Sequence, residues 1–553
     1  MSVMLRVSLG LLLLSASACS LFEETPEVFV PEVSMTQAPR SDALGDGACV
    51  MMHCDNWQSD TLAVPVTLAP SQRIGTDRVD LHWSSPIAGG LFDRVYPDGQ
   101  RVYWLAKTDR IQKLIINQNN QWQSVAELPV PTSRFPYYDA HTVSDWVKEF
   151  DSLSDPTARA DMAKFWRGYQ QEALRAYNSL LDAEGRLFVA SLDRVAVFAD
   201  VNDGQADSGI EKRDEWILDA RQLNRLMVAP EARSTLPIVV AMNMLSDGHL
   251  VLATLDGTVI VVDRAFKQAR YHRLPGESIW NQIATDDAGG IYISTSHRWR
   301  KLVWTGTEIS DSALDGAWSL IYERPEQGVG ATAPPVLMGL PEDNHRFVVV
   351  TNDKAVNEAV LLWRDEIPEQ WQSLEGETNR RIAGRLPLTF GRENPEESRV
   401  ELSPTASGYS VVFARGWSRQ QGAATLDRQL LLPIDSAASG LQQLRWSPKT
   451  KDWQSAWVRP DVASPNSVPV ANTKGRHLHV LGPANGEWVW RVMDWSSGQD
   501  IASYALGRSA AFNPVMLGLQ LSPAGEPMYP AFGGAIRLRP AQKLDSGGGW
   551  FWR

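Results

Sequence analysis

Residues with side chains suited to chemistry are sparse in this sequence, and the densest group is acidic. Asp200, Asn202, Asp203 and Asp207 gather around Gly204. Hard oxygen ligands on a tight turn suit calcium, so a calcium site is one expectation. The glycine falls one position earlier than in calcium-binding loops, and a solvated Asn-Asp-Gly turn accounts for the same residues. Cys49 and Cys54 bracket His53. A metal site on these three needs a fourth ligand from elsewhere. Haem attachment needs the histidine after the second cysteine, and here it precedes it. The expectation is therefore a local disulfide. No Gly-x-Ser-x-Gly elbow and no His-Glu-x-x-His motif occurs, which leaves activated-serine and zinc-peptidase chemistry without support. His477 and His479 alternate along an expected strand and share one face, expected to be exposed.

The elements that position such residues are read from internal repeats. Glu184–Ser191, Asp247–Thr254 and Ala288–Thr295 are alike, each a turn with glycine, then a β-branched or aromatic run, then small residues. That is a strand leaving a tight turn. Weaker copies occupy Asp98–Ala106, Arg346–Thr351, Gly408–Ala414, Gly475–Leu481 and Gly525–Ala531. Successive copies step by 41 to 85 residues, around the length of a four-stranded propeller blade with insertions. The expected fold is all-β, a single large β-propeller over 90–545 with eight four-stranded blades, or seven if one weak copy is discounted. His297 with Arg298, and Asn352 with Asp353, directly follow two of these strands and are the candidate binding residues at the pore mouth.

Residues 142–181 interrupt the pattern with apolar residues at helical spacing, among them Trp146, Phe150, Met162, Phe165 and Tyr169, broken at Ser154-Asp-Pro156. A short helical insertion is expected there. The chain also holds 22 Trp against 15 Phe and 12 Tyr. Rings at strand positions, such as Trp299, Trp363, Trp446 and Trp490, are expected to pack between blades, where a large rigid side chain fills the gap.

The 553 residues are 43% hydrophobic and 21% charged, enough for a large core, and the net charge is −12. Nucleic acid is not an expected partner, because neutralising phosphates takes a basic face. The N-terminus has one arginine, Arg6, an apolar run from Val7 to Leu14, and small residues up to Ala18. This describes a signal peptide over 1–18. Cys19 directly after Ala-Ser-Ala resembles a bacterial lipobox, despite Ala16 where leucine is commoner. The resemblance implies a palmitate-type lipid on Cys19, a flexible tether over 19–48, and an outer-membrane lipoprotein in the envelope of a diderm bacterium. Residues 49–89 are read as a separate N-terminal segment holding the disulfide.

Asp494-Trp-Ser-Ser-Gly498, after Trp488–Met493, resembles the repeat of pyrroloquinoline-quinone (PQQ) dehydrogenase propellers. Gly185–Asp207 is similar to the acidic turn of sorbosone-dehydrogenase-like propellers, and Ser278–Arg298 and Trp318–Gly339 to envelope propellers of no assigned activity. The PQQ enzymes carry an adjacent cysteine pair beside the quinone. No Cys-Cys occurs here, which argues against that cofactor. The expected function is thus a lipid-anchored envelope propeller that binds or scaffolds a protein partner or hydrophobic cargo, with no cofactor beyond the calcium candidate. A propeller oxidoreductase or lyase working at its pore is the alternative. A glycan-binding lipoprotein is the third reading.

Overall fold

Each of the eight repeated segments forms the second strand of its own antiparallel sheet, and the sheets follow one another along the chain as a β-propeller. The computed structural model describes residues 34–540, apart from 86–88, 131–136, 166–177, 220–237, 326–329, 332, 341–342, 394, 396–397, 417–429, 432–433 and 436. The signal segment, Cys19 and the tether up to residue 33 lie outside the described residues. The sheets are numbered one to eight from their first strands: Leu91–Val95, Asn178–Leu181, Val239–Met244, Ala284–Thr285, Val336–Met338, Thr405–Ser407, Val470–Asn472 and Gln520–Leu521. The turn from first to second strand is where glycine matters: Gly99 and Gly248 hold φ of 83° and 85°, a region side chains with a Cβ rarely enter.

First strands of neighbouring sheets touch, as in sheets two and three, three and four, five and six, and six and seven. They surround an axis, and the chain's own N-terminal segment fills it. From Ala48 to Leu62 this segment visits sheets one to seven in order. Ala48 N donates to Asp93 Oδ1 of sheet one (2.7 Å), and Leu181 N of sheet two donates to Val50 O (2.7 Å). Asn56 O accepts from Asn243 Nδ2 of sheet three (3.1 Å) and Thr285 N of sheet four (2.8 Å). Leu337 N, Ala406 N and Ala471 N of sheets five, six and seven donate to Trp57 O, Ser59 O and Asp60 O at 3.0, 3.0 and 2.9 Å. Thr61–Leu62 then adds to the inner edge of sheet seven as a parallel strand. Residues 49–62 are buried throughout.

Two boundaries change. The expected tether over 19–48 does not extend past residue 33. Thr36 N donates to Ser407 Oγ (3.0 Å), Ser41 Oγ to Leu245 O (2.9 Å) and Gly45 N to Leu181 O (2.9 Å), which closes one end of the channel. A polar, apolar-poor stretch orders here because its backbone and small side chains satisfy polar groups at the strand ends. Residues 49–89 are likewise not a separate segment. Gln72–Arg73 pairs along the outer edge of sheet seven, and Val79–Trp83 is the fourth strand of sheet eight, paired with Gly534–Leu538.

Cys49 and Cys54 form a disulfide inside the channel segment, packed with Leu519 and Leu521 of the last sheet. Closing so short a loop constrains the unfolded chain by about 2 kcal/mol. The Cys49→Ser/Cys54→Ser variant should therefore lose about that much stability in urea denaturation; an unchanged midpoint would show that the bond contributes nothing.

The insertion holds two helices, Ala140–Ser152 and Pro156–Lys164, with side-chain caps from Asp139 and Asp155 and with Pro156 in the first turn. Val147 and Phe150 of the first helix pack with Phe532 and Leu517 beside sheet eight. The expected range over-reaches at its end, since Asn178–Leu181 is the first strand of sheet two; Tyr169 lies outside the described residues. The Trp rings pack as expected. Trp363 and Trp446, from sheets five and six, meet edge-on at 5.7 Å, and Trp299 of sheet four donates its Nε1 to Thr351 O of sheet five (3.0 Å).

The shared face of His477 and His479 is not exposed. His479 is fully buried, stacks on Trp490 at 5.8 Å, and receives no protein partner at either ring nitrogen. Burial lowers its pKa to about 3. The unfolded chain protonates this histidine near 6.5 while the folded one refuses the proton. Its contribution to stability is thus complete above 6.5 and is lost as pH falls toward the folded value, at about 1.4 kcal/mol per unit. Between neutral pH and pH 4.5 the melting temperature of wild type should therefore fall further than that of His479→Phe. The difference between the two chains removes the opposite contribution of carboxyls such as Asp55, which burial raises to about 6.

Candidate functional site

The channel is closed at the end held by residues 34–48, and at the other end it opens into a cavity of about 240 Å³. Apart from His53 and Leu255, the wall comes from residues just before or within the first strands of six sheets. Val240, Leu255, Leu402, Val468 and Met516 make most of it apolar. Trp280, which is 52% exposed, stands at the rim with its Nε1 bonded to Ser278 Oγ (3.0 Å).

The floor is His53, from the channel segment. Its backbone is left-handed (φ 61°), as is that of Asp60 (φ 54°), and the two side chains meet at 3.0 Å between Nδ1 and Oδ2. Both are buried. Burial raises the Asp60 pKa, and the His53 charge and hydrogen bond act against that. Among the described residues Asp60 is the only side chain bonded to His53, so no hydroxyl or thiol is set up as a nucleophile.

Two further polar side chains, Gln282 and Glu401, line the cavity. Gln282 spends its Nε2 on Asn178 Oδ1 and Val240 O, which leaves Oε1 without a protein donor. Glu401 pairs one oxygen with Arg399 Nε at 3.3 Å; its Oε2 receives none. Burial raises the Glu401 pKa, with Arg399 opposing. No Lys or Arg is among the described residues of the wall. PQQ carries three carboxylates that need cations or donors, so these residues do not fit the quinone.

The residues predicted from the sequence are distributed differently. His297, Arg298, Asn352 and Asp353 lie in hairpins joining second and third strands, at the same end of the sheets as the mouth but not in its wall. Each is engaged elsewhere. His297 bonds Ser296 Oγ (2.7 Å) and Arg324 (2.8 Å), and Arg298 bonds Ser319 Oγ (3.2 Å). Asn352 bonds Glu358 (2.7 Å), and Asp353 accepts from Gly330 N (3.2 Å). These bonds stay within sheet four or within sheet five, except that of Asp353, which holds the connection between the two sheets.

The calcium candidate is also reassigned. Asp200 is buried against Lys113 Nζ (2.6 Å) and accepts from Tyr96 OH (2.9 Å), while Asp203 pairs with Arg213 at 3.0 Å. Asp207 and Asn202 complete no ligand set, and among the described residues no three His, Cys, Asp or Glu side chains are grouped to hold a metal. Lys113 and Arg213 thus pair with two of the four candidate ligands. Sequence reasoning missed Gln282, Glu401 and the His53–Asp60 pair as a site. The signal available was position alone, directly before the first strand of a sheet or in the segment before the first repeat.

No family model matches the sequence. An uncharacterized protein of Archaeoglobus fulgidus is 28% identical over 434 residues, covering 73% of this chain and 79% of its own. Among solved structures, BamB from Moraxella catarrhalis is similar at 12% identity and a TM-score of 0.34, over 65% of this chain and 95% of that one. Quinohemoprotein alcohol dehydrogenase from Comamonas testosteroni is similar at 8% identity and a TM-score of 0.49, over 92% and 82%. A quinohemoprotein alcohol dehydrogenase from Pseudomonas putida HK5 gives 12% and 0.48, over 90% and 79%.

Proposed function

We propose that this chain is a cell-envelope binding propeller that presents the open end of its axis to a partner or cargo and performs no chemistry in its channel. The observation that carries this reading is the filled channel: a segment bonded to seven sheets in succession occupies the axis, and among the described residues no acid, base and nucleophile converge there. What remains accessible is a largely apolar mouth with an exposed tryptophan on its rim, which suits binding. The disulfide and the signal-like N-terminus support an oxidising compartment, with Cys19 as the lipid anchor. No helix among the described residues is long and apolar enough to cross a membrane.

In-cell photo-crosslinking tests the reading. A photoreactive residue in place of Trp280 should give a discrete adduct, whereas the same group at Leu314, which is 98% exposed on the outer part of sheet four, should not. Equal or absent adducts at both positions would reject the mouth as the binding surface. The anchor is checked separately by palmitate labelling, which Cys19→Ala should abolish.

A further inference from the structure

We propose that the mouth cavity holds one uncharged hydrocarbon ring, the phenylalanine side chain of a partner protein. Val240, Leu255, Leu402, Val468 and Met516 line the cavity. The polar side chains among them are spent on the protein. Asn281 Nδ2 donates to Ala331 O (2.6 Å), Gln282 Nε2 donates to Val240 O (3.2 Å), and His53 is bonded to Asp60 (3.0 Å). Gln282 Oε1 and Glu401 Oε2 are enclosed by protein atoms, out of reach of anything in the cavity. A polar group that enters therefore gives up its water partners and finds few replacements, which is costly. An apolar group gives up nothing, and it supplies the neighbours that atoms around an apolar void lack.

Size narrows the class. An apolar cavity of about 150 Å³ takes one benzene ring, and pockets for drug-sized molecules begin near about 300 Å³. At about 240 Å³ this cavity has room for a ring on a short stem, and too little for a long acyl chain. Met516 in the wall favours a ring over a branched aliphatic chain, since a thioether packs well against aromatic edges. Charge is excluded in both signs. Among the described residues of the wall there is no Lys or Arg to meet a carboxylate. A cation finds Glu401 already paired with Arg399, and the other Glu401 oxygen enclosed. The source follows from Trp280, whose ring stands at the rim and is 52% exposed. A free hydrocarbon small enough for the cavity leaves that ring in water. A ring carried on a protein surface fills the cavity while the surface around it covers Trp280, as an anchor residue does at an interface.

This inference rests on the reading of the mouth as a binding surface. It is tested on the purified full-length chain by calorimetric titration of toluene, phenol, benzoate and N-acetylphenylalanine amide. Toluene should bind, phenol about tenfold more weakly, and benzoate not at all. The amide should bind at least as tightly as toluene, because its backbone stays at the mouth beside Trp280. Val468→Phe places a ring of the chain's own in the cavity and should weaken toluene and the amide about tenfold or more. Thermal melts show whether that variant keeps its fold. Leu255→Phe, at a half-buried position, fills the same cavity and serves as the second block. No binding of toluene, equal binding of toluene and phenol, or indifference of toluene to both filling variants in folded protein overturns the ring site. Binding of toluene without the amide overturns the protein source. Adducts from position 280 with no ring bound would discard the ring site and leave the binding propeller standing.

Discussion

Trp57→Ala should cost about 3–5 kcal/mol, among the largest single-residue losses in the molecule. The ring sits in the channel segment, 4% exposed, packed in one cluster with Leu320, Leu337 and Leu362 of sheets four and five. Its face lies 4.8 Å from the Arg364 guanidinium carbon. That arginine is buried too, with Asp365 as its partner at 3.3 Å and its Nη1 unserved by the protein. Removing the ring thus opens a cavity and strips a buried cation of its nearest polarisable neighbour. Trp280→Ala provides the contrast: its ring is half exposed, and the change should stay within about 0.5 kcal/mol. Urea midpoints of the two variants check both, and a Trp57→Ala loss below about 1 kcal/mol would mean that the channel segment is not part of the cooperative core.

Lys113→Met should cost a similar amount, about 3–5 kcal/mol, for an electrostatic reason. Lys113 is fully buried. Its ammonium meets Asp200 Oδ1 at 2.6 Å, Ser208 O at 2.9 Å and Gln205 O at 3.3 Å. Without it, the Asp200 carboxylate is left charged in the interior with only the Tyr96 hydroxyl. Lys113→Met/Asp200→Asn removes the stranded charge and should recover part of the loss. The same pair of residues makes a prediction about metal: calcium or a chelator should leave the wild-type melting temperature unchanged, because the carboxylate already has its cation. A calcium-dependent rise would restore the original reading of the acidic turn.

The repeating part of the fold was legible because its signal is local. A tight turn followed by an apolar run depends on nothing outside about ten residues, and all eight such segments are second strands, six of them entered through a glycine with positive φ. Even Arg346–Thr351, which lacks the glycine, is found by its Phe-Val-Val-Val core. The channel segment was illegible for the opposite reason. Residues 41–62 have no periodicity, and four of them, His53, Cys54, Gln58 and Asp60, hold left-handed backbones that no propensity anticipates. Their order is imposed by strand ends hundreds of residues away. The site inherits this difficulty. Gln282 and Glu401 sit in short connections where any polar residue would be read as solvated, and only closure of the ring places them on one cavity. The disulfide was readable from spacing and compartment; its position inside the axis was not. His297 and Asn352 lie at the same end of the sheets as the cavity, which follows from strand direction, but not in its wall.

The pairing of Val79–Trp83 with Gly534–Leu538 sets an order of events for a newly made chain. An early strand must wait for the final hairpin before it has a neighbour, and the segment that occupies the axis must wait for sheets one to seven in turn. Until the last hairpin emerges, a growing chain therefore exposes an unpaired strand edge together with an unclosed apolar interior, the two features that favour association between molecules. So many contacts between distant parts of the sequence also make the folding reaction intrinsically slow. Loss of the final thirty or so residues would remove that last hairpin and leave the ring without its clasp, so the quality of the whole molecule is decided at its C-terminus, although the function proposed for it resides at the axis.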